Sequence, residues 1–294
     1  MPNHDDLTRR LIRWGTQRGD VRAMLLTSTL AVPGARVDSL SDHDVILVVR
    51  DIRPYLEDRQ WIEDFGEVLV AYWDPVTVDP GTGVEQSGNV VQYAAGHKID
   101  FTLWPTGQLE RIASSTSLPD ELDAGYRVLI DKDGLADRLA TPSYSAYSLR
   151  RPDDATYQLN VNDFFVGPPY VAKCILRGDL LPARWCLDYD MKHVYLRPML
   201  EWRAACDHGW SIRIGSLGKG LRRYLPADIW SALENTYVGG GSEGDWEALF
   251  RTMALYGRVA REVGEHLGYR YPGNLDASVS TFVRQMRDWR VEPT

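Results

Sequence analysis

The chain has 294 residues, a formal net charge of −8, 44% hydrophobic residues and 25% charged residues. That is the composition of a globular protein long enough for two domains. The acidic balance argues against a reader of the nucleic-acid backbone and suits a cationic small substrate. No run approaches the roughly 18 apolar residues of a membrane span.

The opening "MPNHDDLTRRLIRWG" has no basic stretch followed by an apolar one and does not read as a secretory leader. Residues 5–19 instead predict a helix, with Leu7, Leu11 and Trp14 at helical spacing, ended by Gly19-Asp20. "VRAMLLTS" and "DVILVV" predict two short strands, the second apolar enough for burial on both faces. "RPYLEDRQWIEDFG" predicts one helix and "EVLVAYW" a third strand. "DPVTVDPGTGVEQSG" reads as a loop. "NVVQYAA" and "HKIDFTLW", separated by Gly96, form a hairpin signal, and "RVLIDKDG" adds another strand. The first part therefore mixes helices with a sheet of about five strands.

After "SLRRPDDAT", a linker pattern, the alternation disappears. Helical patterns fill 158–177, 182–206, 219–237, 245–267 and 276–289. Pro168-Pro169 is expected to kink or restart the first of them. The expected organisation is α+β, with a mixed α and β domain over 1–150 and a helical domain over 151–294. Cys174, Cys186 and Cys206 are odd in number and form no CxxC, so they read as small core residues of a protein in the reducing cytoplasm.

The chemistry concentrates in "SDHDVILVV". Strand side chains alternate, so Asp42 and Asp44 share a face and His43 points away. Two carboxylates that close repel unless a cation lies between them. Mg²⁺ prefers carboxylate oxygens together with substrate phosphates. Asp100 interrupts the apolar strand "KIDFTLW" and needs a partner of its own. If that strand lies beside the Asp42–Asp44 strand, three aspartates meet, the donor set of a two-metal site for phosphoryl or nucleotidyl transfer. The first strand ends at Thr27-Ser28, where backbone N–H groups and the Ser28 hydroxyl suit a triphosphate; Ser28 also fits as a helix cap.

The order hydroxyl turn, DxD, later strand aspartate resembles the nucleotidyltransferase superfamily. Within it, "SDHDVILVVRDI", "WIEDFGEVLV", "KIDFTLWP", "NDFF", "YVAKCILRGDLLPA", "GKGLRRYL" and "EVGEHLGYRYP", in that order, resemble the aminoglycoside 6-adenylyltransferases over almost the whole chain. The resemblance implies transfer of AMP from Mg-ATP to a hydroxyl of streptomycin, with release of pyrophosphate. It implies a mixed-sheet nucleotidyltransferase domain, a helical domain and an active site in the cleft. Carried over by position, Asp42, Asp44 and Asp100 match the metal-binding carboxylates, and Ser28 matches the serine of a phosphate-binding Gly-Ser turn. This chain departs at that turn. Thr27-Ser28-Thr29 stands where the family has Gly-Ser-Arg, which costs backbone freedom at 27 and a cation near the triphosphate.

In the second half, the resemblance turns Lys173 toward the cleft, suited to phosphate, although a solvated lysine fits the same pattern. Lys219, between Gly218 and Gly220, suits either the nucleotide or a loop. Asp163 and Asp179 suit the guanidinium groups of streptomycin, and Asp179, after Gly178, also suits a helix cap. Trp104, Trp185 and Trp202 read as core, and Glu67 as surface. No histidine spacing suggests zinc, and no GxxxxGK[ST] run is present. The expected ligands are ATP, Mg²⁺ and an aminoglycoside, without nucleic acid or membrane. A transferase for another small alcohol or a protein hydroxyl, and a binding protein that has lost catalysis, fit the same residues. The sequence is silent on oligomeric state.

Overall fold

A computed structural model describes residues 3–290. Tertiary contacts close within two units, one running to Ala146 and the other starting at Tyr147.

The first unit is built on β1 (Val21–Thr27) and β2 (His43–Val49), antiparallel neighbours whose apolar runs are buried on both faces. A mixed sheet extends from them. β7 (Arg127–Asp131) flanks β1 antiparallel, and β6 (Lys98–Pro105) flanks β2 in parallel. β5 (Glu85–Tyr93) hairpins onto β6, and β3 (Val68–Trp73) forms the far edge. The sheet has seven strands rather than about five. β5 begins inside the segment read as a loop, and β4 (Thr77–Val78) pairs with its start. A two-residue strand is too short to show alternation, so only the partner reveals it.

Alternation divides the sheet into two faces. Val45 and Leu47 of β2 and Ile99, Phe101 and Leu103 of β6 pack under α1 (His4–Gln17) and α2 (Arg53–Glu57). Ile46, Val48 and Trp104 pack on the other face under Leu109 and Ile112 of α3 (Thr106–Ala113) and Leu122 of α4 (Asp120–Asp123). The single helix expected over "RPYLEDRQWIEDFG" is two pieces, α2 and a 3-10 turn over Gln60–Phe65. The Asp58 carboxylate accepts the Gln60 N–H, a local bond that competes with the helix.

The second unit is helical. α5 (Asp154–Arg177) is N-capped by Asp153, whose carboxylate accepts the Thr156 N–H, and ends at Gly178 in the left-handed region (φ 75°). It runs on as one helix through Pro168 and Pro169 without restarting there. Its buried face packs on α9 (Ser242–Leu267): Phe164 stacks on Tyr256, and the Tyr157 hydroxyl donates to the Ala260 carbonyl. The pattern over 182–206 is not one helix. α6 (Leu180–Arg184) leads into a π-helical segment, Trp185–Leu196, and then α7 (Arg197–Asp207). The π segment buries Lys192, whose ammonium donates to Asp188 and to the Thr236 carbonyl and lies over the Tyr237 ring. The pattern over 219–237 condenses to a 3-10 turn and α8 (Ala227–Glu234), and α10 (Gly273–Arg287) closes the unit. Cys174 and Cys186 are buried and Cys206 half-buried, all free thiols. Trp104 is core, Trp202 is half-buried against the core, and Glu67 is exposed. Trp185, expected in the core, is 62% exposed and packs on Tyr189, because the π turn directs it outward.

Candidate active site

The site is assembled at the mouth of three adjacent strands. Thr27 pairs with Asp44 across β1 and β2, and Asp44 pairs with Asp100 across β2 and β6. Asp44 and Asp100 therefore stand side by side on neighbouring strands, which lie about 4.8 Å apart. Asp42, two residues before Asp44, extends the row on the same face. His43 turns to the opposite face, is 1% exposed, and contacts the Thr8 hydroxyl of α1.

Thr27 is not strained. Its backbone is extended (φ −124°), and its hydroxyl donates to the Asp44 carbonyl at 3.4 Å. The glycine-like position is the next one: Ser28 has φ 57° and opens a 3-10 turn over Ser28–Leu30. Its hydroxyl lies toward the Asp44 carboxylate, whose charged form it favours.

Burial pushes the Asp44 carboxyl above its usual range, and the Asp100 charge adds to the effect. Burial likewise raises Asp100, against the opposing pull of Lys98. Asp100 Oδ1 is buried and has no hydrogen-bond partner. Carboxylates held this way favour a cation beside them. The donors are all hard oxygens, as Mg²⁺ prefers, and the imidazole of His43 faces elsewhere. Three carboxylates, one of which has a buried and partnerless oxygen, are thus the donor type a divalent metal takes. As the side chains stand, no three His, Cys, Asp or Glu among the described residues converge closely enough to hold one. Two of the aspartates face Lys98 instead, which donates to Asp42 Oδ2 at 3.0 Å and to Asp100 Oδ2 at 2.7 Å.

In the second unit, Lys173 is exposed on α5 and Asp163 is half-buried there. Asp179 occupies the N-cap position of α6, yet its side chain makes no capping bond. Lys219 is exposed after a 3-10 turn.

The sequence pattern of the streptomycin adenylyltransferase family matches residues 1–286. The chain belongs to that family. An aminoglycoside 6-adenylyltransferase of Bacillus subtilis (strain 168) is 28% identical over 236 residues, 80% of this chain and 81% of the relative. One from Campylobacter jejuni is 27% identical over 259 residues, 87% of this chain and 86% of the relative. A crystal structure of an aminoglycoside 6-adenyltransferase from Bacillus subtilis aligns with 98% of this chain and 100% of that one, at 22% identity and a TM-score of 0.45.

Two residues of this adenylyltransferase-family chain escaped the sequence reading. Lys98 was legible in principle, since in "KID" it lies two positions before Asp100 and so on the same face. Asp74, just after β3, carried no such signal. Its carboxylate lies over Gly88 of β5, where a Cβ would come within 2.9 Å of Asp74 Oδ2, and its charge reaches Asp100. Only the pairing of β3 with β5 brings it there.

Proposed function

We propose that this chain transfers AMP from Mg-ATP to a hydroxyl of an aminoglycoside, with streptomycin at its 6-position as the acceptor, and releases pyrophosphate. The observation that carries the reading is the row Asp42, Asp44, Asp100 at the mouth of β2 and β6, in a chain of this family. Asp42 and Asp44 hold metal, and Asp100 completes the set. Bound there, Mg²⁺ neutralises the phosphates and the developing charge of an in-line displacement.

The acceptor oxygen bonds to the α-phosphorus as the bond from that phosphorus to the bridging oxygen breaks, and pyrophosphate leaves with the electron pair. The proton of the acceptor hydroxyl passes to Asp100. Its partnerless Oδ1 supports that role. Ser28 orients Asp44 through its hydroxyl and presents its turn to the phosphates. From the helical unit we assign the exposed Lys173 and Lys219 to phosphate, and Asp163 and Asp179 to the cationic groups of the acceptor. Thr27, whose hydroxyl also fixes the Asp44 backbone, presents the end of β1 to the nucleotide beside Ser28.

The test is pyrophosphate release with ATP, Mg²⁺ and streptomycin, beside Asp44→Asn. The variant is expected to lose more than about 100-fold in turnover while its circular dichroism stays unchanged. Near-normal turnover by Asp44→Asn would overturn the assignment. Release with another acceptor but none with streptomycin would move the specificity and keep the chemistry. Tight binding of ATP or streptomycin without release would mark a binding protein.

A further inference from the structure

We propose that Lys98 is the resident counter-ion of the carboxylate row, and that a divalent cation has to displace it, so that this lysine sets the metal affinity of the chain. The inference rests on the metal-dependent reading above. It concerns a residue that lies in the resembling segment "KIDFTLWP" and to which the resemblance assigns no role.

The geometry is specific. One ammonium bridges carboxylates that come from two different strands, Asp42 at 3.0 Å and Asp100 at 2.7 Å. Their side chains and that of Lys98 are all partly shielded from water, which strengthens both the attraction and the repulsion it relieves. Asp44 and Asp100, paired across neighbouring strands, would otherwise face each other uncompensated.

The same contacts conflict with a metal. An ammonium donates hydrogens and coordinates nothing. It already holds Oδ2 of Asp42 and Oδ2 of Asp100, one oxygen of each carboxylate. A divalent cation drawing on both carboxylates therefore competes with the ammonium for the same charge and space. The balance of charge still favours exchange, because one positive charge stands against three carboxylates and Asp100 Oδ1 stays partnerless.

There is also room for the displaced side chain. Lys98 borders a cavity of about 160 Å³ whose walls include Ser41, Gln92 and His97. The cavity adjoins Lys98 and gives the displaced ammonium a place beside the row.

Two other roles make different predictions. A lysine that only pins β6 to the mouth of β2 would contribute stability, and its loss would leave metal affinity unchanged or lower it. A lysine that binds nucleotide phosphate would affect ATP and leave binding of metal alone unchanged. A counter-ion does the reverse: its removal weakens the metal-free protein and tightens the metal.

The experiment titrates MnCl₂ without nucleotide into the wild type, Lys98→Met and the double variant Asp42→Asn/Asp44→Asn, following free Mn²⁺ by electron paramagnetic resonance. Thermal melts of the same proteins run in EDTA and in Mn²⁺. Lys98→Met is expected to bind Mn²⁺ about ten-fold more tightly than wild type, to melt lower in EDTA and to gain more from Mn²⁺. Equal or weaker Mn²⁺ binding by Lys98→Met would overturn the proposal while the metal reading stood. Absence of binding by wild type and Lys98→Met alike would overturn both. A second measurement needs no variant: amine labelling of wild-type Lys98, read by mass spectrometry, is expected to rise on adding Mn²⁺. Unchanged labelling at saturating Mn²⁺ would count against displacement.

Discussion

Ser28 holds the one unusual backbone conformation at the site. A non-glycine residue in the left-handed region costs about 1 kcal/mol or more, and such strain persists where the surroundings impose it. Here the fixed ends are β1, paired to β2 through Thr27, and the turn bonds that Ala31 and Val32 donate to the Ser28 carbonyl. Strain and hydroxyl can be separated. Ser28→Gly and Ser28→Ala both remove the hydroxyl, and only glycine relieves the backbone. Ser28→Gly is expected to be about 1 kcal/mol more stable than Ser28→Ala in urea melts, with turnover reduced equally in both. A Ser28→Ala protein with full turnover would show the hydroxyl to be idle. The sequence reading selected Ser28 and the three aspartates from residue type and spacing, and it assigned the cost of the turn to Thr27, one position early. Backbone dihedrals at a turn depend on where the strand stops, and that follows from pairing.

At the scale of elements, the seam between α1 and β2 carries a titratable group. Burial holds the His43 imidazole down at about 4, with the charges of His4, His97 and Arg127 acting in the same direction. A solvated histidine titrates near 6.5. Below that value the unfolded chain takes up a proton that the fold refuses, so stability falls as pH drops from about 6.5 to about 4. The full loss amounts to about 3 kcal/mol for this one group. His43→Phe keeps a ring in the same buried seat, gives up the contacts to Thr8 and the His4 carbonyl, and has no proton site. Its stability between those pH values is expected to fall less steeply than wild type by up to one proton's worth, measured by urea melts across the range. Parallel curves for the two proteins would show that His43 carries its proton in the fold.

Elements read from period alone fared unevenly. The buried strands and the long helices α5 and α9 were clear, since each repeats its pattern over many residues. β4, the split after Asp58 and the π segment were not. Each is fixed by a local bond or by a buried partner such as Lys192, and none of these has a periodic trace. The unbroken course of α5 belongs with them. Proline restricts its own turn, while packing of the helix against the π segment, α9 and α10 decides whether the chain continues.

For the whole molecule, each unit carries its own hydrophobic core, and among the described residues no helix is long and apolar enough to cross a membrane. The net charge of −8 attracts a polycationic acceptor and opposes an anionic nucleotide. Raising ionic strength from about 0.01 M to about 0.1 M shortens the Debye length from about 30 Å to about 10 Å. The KM for streptomycin is therefore expected to rise over that range, and the KM for Mg-ATP to rise less or fall. A KM for streptomycin independent of salt would show that local contacts, rather than the overall field, capture it.

By itself the sequence determined what short-range geometry dictates. Alternation put Asp42 and Asp44 on one face and His43 on the other, apolar runs marked the central strands, and the loss of alternation marked the helical half. Only the tertiary structure decided the rest. It set the parallel register of Asp44 with Asp100, brought Lys98 between Asp42 and Asp100, laid Asp74 over Gly88 and turned Trp185 outward. The reason is physical. A side chain's face follows from its own strand or helix, whereas its neighbour across a sheet depends on strand order and register, which the packing of the whole unit selects.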